Sequence, residues 1–187
     1  MIAQAQLFTP AECPPPKRPE MTAPEVHARL VEYLAKRISA ALGEPLGEHS
    51  IASLRRATET WFVDSAYRIA RNLDNDGWDV DDDLTEALAD VQYFGRTAHD
   101  AVVAEWVAKH DIRPPLPIGA LVRCKVQRVE HVGEVTAIDA KRATYTVRVA
   151  ALGHVAKGDL GTQGFILNYE DVTAERESTP LQRTSTT

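Results

Sequence analysis

Cysteine is nearly absent from this 187-residue chain: Cys13 and Cys124 lie far apart, so no disulfide framework or Cys-x-x-Cys metal site follows from them. Long apolar runs are missing as well. No stretch approaches the ~18 consecutive apolar residues of a membrane span. The opening MIAQAQLFTP lacks the basic flank and apolar run of a signal peptide, so the expected location is cytoplasmic, with no membrane association. A basic excess is also lacking. With a net charge of −6, the chain as a whole is a poor coat for nucleic acid. There is no glycine-rich phosphate loop, no nucleophile with a neighbouring base and no complete metal-ligand set, which leans the expectation away from an enzyme.

What is present is the composition of a folded chain, 44% hydrophobic and 26% charged, without the extreme charge of a disordered one. Charge is unevenly placed. Residues 1–116 carry 12 Lys and Arg against 19 Asp and Glu, whereas residues 117–173 carry 7 against 6. The pattern divides the chain into a proline-rich disordered tail (1–22), a helical bundle (23–112), a proline linker (113–117), a small β-barrel (118–173) and a polar disordered tail (174–187). Pro14–Pro19 favours extended polyproline II, either a docking peptide or an exposed linker.

Three main helices are expected in the bundle. The first opens at Thr22, an N-cap followed by Pro24 and Glu25, carries Val26, Leu30, Val31, Leu34, Ile38 and Leu42 on one stripe, and stops at Gly43. The second runs from about Ser50 to Asn72, with Ile51, Leu54, Trp61, Phe62, Ile69 and Leu73 on a broad apolar face. The third runs from Leu84 to His110. Gly95 in its middle costs about 1 kcal/mol relative to alanine, so a kink or a close helix crossing is expected there.

Between the second and third helices, DNDGWDVDDD is the most acidic stretch of the protein. Aligning Gly77 with the glycine of an EF-hand loop places Asn72, Asp74, Asp76 and Asp83 at calcium-ligating positions, although Asp79 stands where such loops carry an apolar residue. The alternative is a solvated turn closed by Asp83 and Glu86 as a capping box. Glu86-Ala87-Leu88-Ala89-Asp90-Val91 resembles the second acidic motif of the all-α (MazG-like) nucleotide pyrophosphohydrolases. That resemblance implies magnesium held by helix-borne carboxylates, here Glu59, Asp64, Glu86 and Asp90, with Ala87 standing where the family has a glutamate. His99-Asp100 is a lone HD dipeptide without the further ligands of a metal phosphohydrolase.

In the C-terminal segment, strict alternation points Val122, Cys124 and Val126 one way and Arg123, Lys125 and Gln127 the other. Tyr145, Val147 and Val149 likewise oppose Thr144, Thr146 and Arg148. A strand over 132–139 and a turn at Ala140-Lys141-Arg142 connect the two. The Gly-Glu-Val, turn, Tyr-x-Val-x-Val pattern, followed by GTQGFILNY, resembles SH3-like barrels, including their KOW and Tudor-type relatives. All three tryptophans lie in the helical half, so the aromatic peptide groove and the methyl-cation cage of those relatives are not expected here.

The fold class expected is therefore α+β, a three-helix bundle followed by an SH3-like barrel. The function expected is a non-catalytic interaction or assembly module with a protein partner, compatible with a homo-oligomer and needing no cofactor. Two alternatives stand beside it. One is the magnesium-dependent pyrophosphohydrolase. The other is nucleic-acid binding on a basic barrel face made by Arg123, Lys125, Lys141, Arg142 and Arg148.

Overall fold

The computed structural model of the chain describes residues 16–152 and 164–175. Cys13, Pro14, Pro15, the Gly161–Gln163 part of the barrel pattern and the polar tail from Arg176 lie outside the described residues. Contacts divide the chain into two units, Met1–His110 and Asp111–Thr187.

The first unit holds five α-helices where three are expected: α1 (Pro24–Leu42), α2 (Glu48–Ala57), α3 (Ala66–Asn75), α4 (Asp82–Ala89) and α5 (Val91–Lys109). α1 follows the expected stripe and ends at Gly43, whose φ of 73° is the left-handed conformation that glycine adopts without strain. Its N-cap is Ala23, without a side-chain bond, rather than Thr22; Pro24 at the first position supplies the preset φ.

The expected second helix is two helices separated by residues 58–65. Hydroxyl side chains make local bonds on both sides of the break. Thr58 Oγ1 donates to the Leu54 carbonyl at 2.8 Å, Thr60 donates to the Asp64 carboxylate, and Ser65 caps α3 by accepting from the Arg68 amide. The break turns Trp61 inward, where it is 1% exposed. Its ring occupies the space above Gly95, because a Cβ built there would lie 1.9 Å from Trp61 Cζ3. Gly95 is the close crossing its mid-helix position suggests. Gln92 fastens the same turn, its side-chain amide donating to the carbonyls of Trp61 and Asp64.

The expected third helix is likewise two, divided at Asp90, which ends α4 and precedes α5 with φ −92° and ψ 16°. Asp81, not Asp83, caps α4, accepting from the Leu84 amide at 2.8 Å, so the expected capping box does not form. The buried face of all five helices forms one core around Leu30, Leu34, Leu54, Trp61, Ile69, Leu73, Leu88 and Ala98. Residues 16–22, N-terminal to α1, lie against α5: the Pro19 carbonyl is 3.1 Å from His99 Nε2, and the Arg18 guanidinium sits over Trp106 at 5.4 Å.

The second unit is a curled, five-stranded antiparallel sheet, a half-barrel, with β1 (Leu121–Val126), β2 (Val129–Asp139), β3 (Thr144–Arg148), β4 (Phe165–Asn168) and β5 (Val172–Ala174) in the order β4-β3-β2-β1-β5. The alternation expected from sequence is observed. Val122, Cys124, Val126, Tyr145, Val147 and Val149 are buried, while Arg123, Lys125 and Arg148 are exposed. β2 begins three residues earlier than expected, because Gln127 (φ 52°) and Arg128 (φ 70°) make a two-residue hairpin turn. Gly133 lets β3 approach: a Cβ there would lie 2.6 Å from Val147 Cγ1 and 2.8 Å from the Arg148 carbonyl oxygen. Tyr145 and Tyr169 stack in the core at 4.4 Å, and Tyr145 Oη accepts from the Leu116 amide, tying the proline segment to this sheet. No helix among the described residues is long and apolar enough to cross a membrane.

Candidate functional site

The four carboxylates implied by the pyrophosphohydrolase resemblance occupy different settings. Glu59 stands exposed in the turn after α2. Asp64 is buried and held by Thr60 and by Arg68 Nη1 at 3.0 Å. Glu86 is exposed on α4, and Asp90 is the exposed residue at the α4–α5 break. Among the described residues no three His, Cys, Asp or Glu side chains are placed to hold a metal ion.

The acidic turn is organised by one of its members. Asp76 Oδ2 accepts from Ser53 Oγ and from Arg56 Nη2, and the Trp78 indole donates to Ser53 Oγ at 3.1 Å. These contacts hold the Asp76 carboxyl below its usual range, the Ser53 hydrogen bond first and Arg56 next. Asp76 thus joins the turn to α2, and it is engaged with protein groups at the position the EF-hand alignment assigns to a calcium ligand.

The five cations expected to form a basic barrel face are outward, but they are interleaved with acids. Register sets Arg148 opposite Glu134 and Lys125 opposite Glu130 on the outer side of the sheet. Arg148 pairs with Glu134, and Arg123 holds Glu175 through two contacts, one of them Nη2 to Oε1 at 2.9 Å. At the β2–β3 turn the backbone amides of Lys141 and Arg142 donate to Asp139 Oδ1, and Arg142 Nε lies 3.8 Å from Asp139 Oδ2. Phosphates approaching this face would compete with carboxylates already in place. Leu121, Val132 and Ile166 are exposed among these charges.

One concavity stands apart from all of these residues except Glu86. An open groove of about 780 Å³ lies where α1 passes α4 and the first turns of α5. α1 contributes Tyr33, Lys36, Arg37, Ala40 and Ala41, which recur at helical spacing and form a second stripe beside the buried one. Ala87 of α4 and Phe94 of α5 supply the apolar floor, and Tyr93, 67% exposed, supplies an aromatic edge. The Arg37 guanidinium lies over the Phe94 ring at 5.9 Å. Charge is polarised across the groove, with Lys36 and Arg37 on the α1 side and Asp83 and Glu86 on the α4 side.

Sequence reasoning singles out Glu86 for magnesium and Asp83 for a cap or calcium, and misses the groove that both residues line. The available signal is the Tyr33, Arg37, Ala40, Ala41 stripe, which is weak in hydropathy because Arg37 and the neighbouring Lys36 are charged and the alanines are small.

No protein-family model, curated protein or solved structure matches this chain.

Proposed function

We propose that the chain is a non-catalytic interaction module, a helical bundle joined to an SH3-like barrel, that binds a protein partner through the groove between α1, α4 and α5. The observation that carries this is the groove itself: apolar and aromatic at its floor, charged at its rim, and open along one side. Such surfaces recognise protein segments that present apolar anchors, with polar contacts at the edge setting specificity. The strand order β4-β3-β2-β1-β5, with a 3₁₀ turn at Tyr169–Asp171 between β4 and β5, supports the SH3-like assignment of the second unit. Of its described aromatics, Tyr145 and Tyr169 are buried and Phe165 is partly buried, so none stands fully exposed, which favours the helical unit as the recognition surface.

The experiment is selection of peptides from a random display library against the full chain. Ala40→Trp, at an exposed groove position, serves as an obstructed control, and Tyr93→Ala as a second control that removes an edge. Selected peptides should lose at least about tenfold in affinity to either variant, the size of effect expected for a contact near the centre of an interface. Peptides that bind both variants as tightly as the parent chain would refute the groove as the recognition site.

A further inference from the structure

We infer that the segment this groove takes is an amphipathic helix of a partner protein, its apolar stripe flanked by acidic residues on one side and basic residues on the other. This rests on the groove being the recognition site. Three observations lead to it.

The first is the nature of the walls. All three are helices, and none offers a strand edge. An extended segment would set its own amides against Ala40, Ala41, Ala87 and Phe94, with no ladder to bond them, whereas a helix arrives with its amides already paired. The second is dimension. Tyr33 to Ala41 spans about 12 Å of α1, two turns of helix, so the groove takes apolar anchors at i, i+3 or i+4, and i+7. Its three alanines let a helix backbone approach closely, so that the partner supplies the bulky side chains. A helix seated there packs on α1, α4 and α5 as one more member of the bundle.

The third observation is the polarity of the rim. Lys36 and Arg37 face Asp83 and Glu86 across the floor, so a helix with one sign of charge on both flanks meets a like-charged wall on one side. A helix with opposite flanks is matched on both. Exchanging its flanks does not abolish the match; it reverses the direction in which the helix lies, because a half-turn about the groove normal restores the pairing. The rim therefore sets orientation as well as affinity.

The test uses hydrocarbon-stapled 14-residue helices on the full chain, all with the same apolar stripe. Two carry mixed flanks, glutamate on one side and lysine on the other, in the two opposite arrangements. A third carries glutamate on both flanks and a fourth carries lysine on both. Affinity is read by fluorescence anisotropy, and direction by paramagnetic broadening of groove amides from a spin label at the peptide N-terminus. Both mixed peptides should bind about fivefold to tenfold tighter than either uniform one, from surface charge pairs of modest individual strength, and they should lie in opposite directions.

Equal affinities, or a common direction for the two mixed peptides, would overturn the inference. If the display selection yields groove-dependent peptides while no stapled helix binds, the inference falls and the groove remains a recognition site. If nothing selected depends on the groove, both fall. If deleting residues 1–15 raises stapled-peptide affinity several-fold, the occupant is the chain's own N-terminal segment, and the inference is overturned.

Discussion

Replacing Gly95 by alanine sets two effects of opposite sign against each other. In an exposed helix interior the change stabilises by about 1 kcal/mol, because alanine loses less backbone entropy. Here the added Cβ would stand 1.9, 2.2 and 2.5 Å from Cζ3, Cη2 and Cε3 of Trp61. Carbon atoms in contact sit ~3.5–4.0 Å apart, so the ring must retreat by more than an ångström. It cannot do so freely: the ring is 1% exposed, and the Trp61 carbonyl is held by Gln92. Forced overpacking of this kind costs about 1–3 kcal/mol and occasionally more. An approach of 1.9 Å to a fixed ring puts the steric cost at the upper end of that range, about 3 kcal/mol. It should therefore exceed the propensity gain of about 1 kcal/mol and leave a net loss of about 2 kcal/mol, or about 8–16 °C in the melting temperature of a domain of this size.

Trp61, Trp78 and Trp106 all lie in the helical unit, so tryptophan fluorescence during urea unfolding reports that unit alone. Gly95→Ala should lower its midpoint. Trp61→Leu, itself destabilising, should remove most of the additional cost of Gly95→Ala, giving a coupling of about 1–3 kcal/mol in the double-mutant cycle. A Gly95→Ala protein more stable than the parent would refute the assignment of Gly95 as the crossing point.

Two further changes have defined signs. Gln127 and Arg128 both hold positive φ in the β1–β2 turn, where Asn-Gly is the unstrained pair. The double change Gln127→Asn, Arg128→Gly should therefore stabilise the sheet unit by about 1 kcal/mol, read from hydrogen exchange at β1 and β2 amides, and faster exchange would contradict it. His27 has its pKa lowered from 6.5, by burial first and then by Arg55, and its Nε2 lies 3.0 Å from Thr58 Oγ1. Thr58 Oγ1 also donates to the Leu54 carbonyl, and the His27 ring makes a further hydrogen bond to the Arg55 backbone, which opposes the shift without reversing it. The unfolded chain binds the His27 proton first as pH falls. The contribution of His27 is thus fully present above about pH 6.5 and is lost as pH drops through its folded pKa. His27→Gln should flatten the stability profile as pH falls below about 6.5, and an unchanged profile would refute the coupling.

The parts of the fold that were legible in the sequence are those where one period dominates. β1 and β3 alternate strictly because one face is buried, and the α1 stripe repeats because one side of a long helix meets the core. The breaks at 58–65 and Asp90 were not legible, for a physical reason. The apolar spacing continues through them, while the first break coincides with a serine that caps the next helix and with a tryptophan filling the gap over a glycine on another helix. Arg123 and Arg148 were correctly read as outward. Their carboxylate partners were not visible: Glu134 becomes a neighbour only through strand register, and Glu175 lies 52 positions along the chain from Arg123.

Charge balance along the sequence points to the sheet as the surface for an acidic or phosphate-bearing partner, since the helical half is net negative. Geometry redistributes that argument. On the sheet the outward arginines Arg123 and Arg148 stand beside acids on the same face, so a ligand gains little from exchanging one carboxylate for another. On the helical unit the charges separate across a groove: the acids of α4 take one side, and the cations of α1 take the other. A separated pair of walls discriminates between ligands, whereas interleaved charges cancel at the distance of a few residues. On the proposed reading, specificity therefore belongs to the helical unit in spite of its unfavourable net charge, because a partner meets the local arrangement of side chains and not their sum.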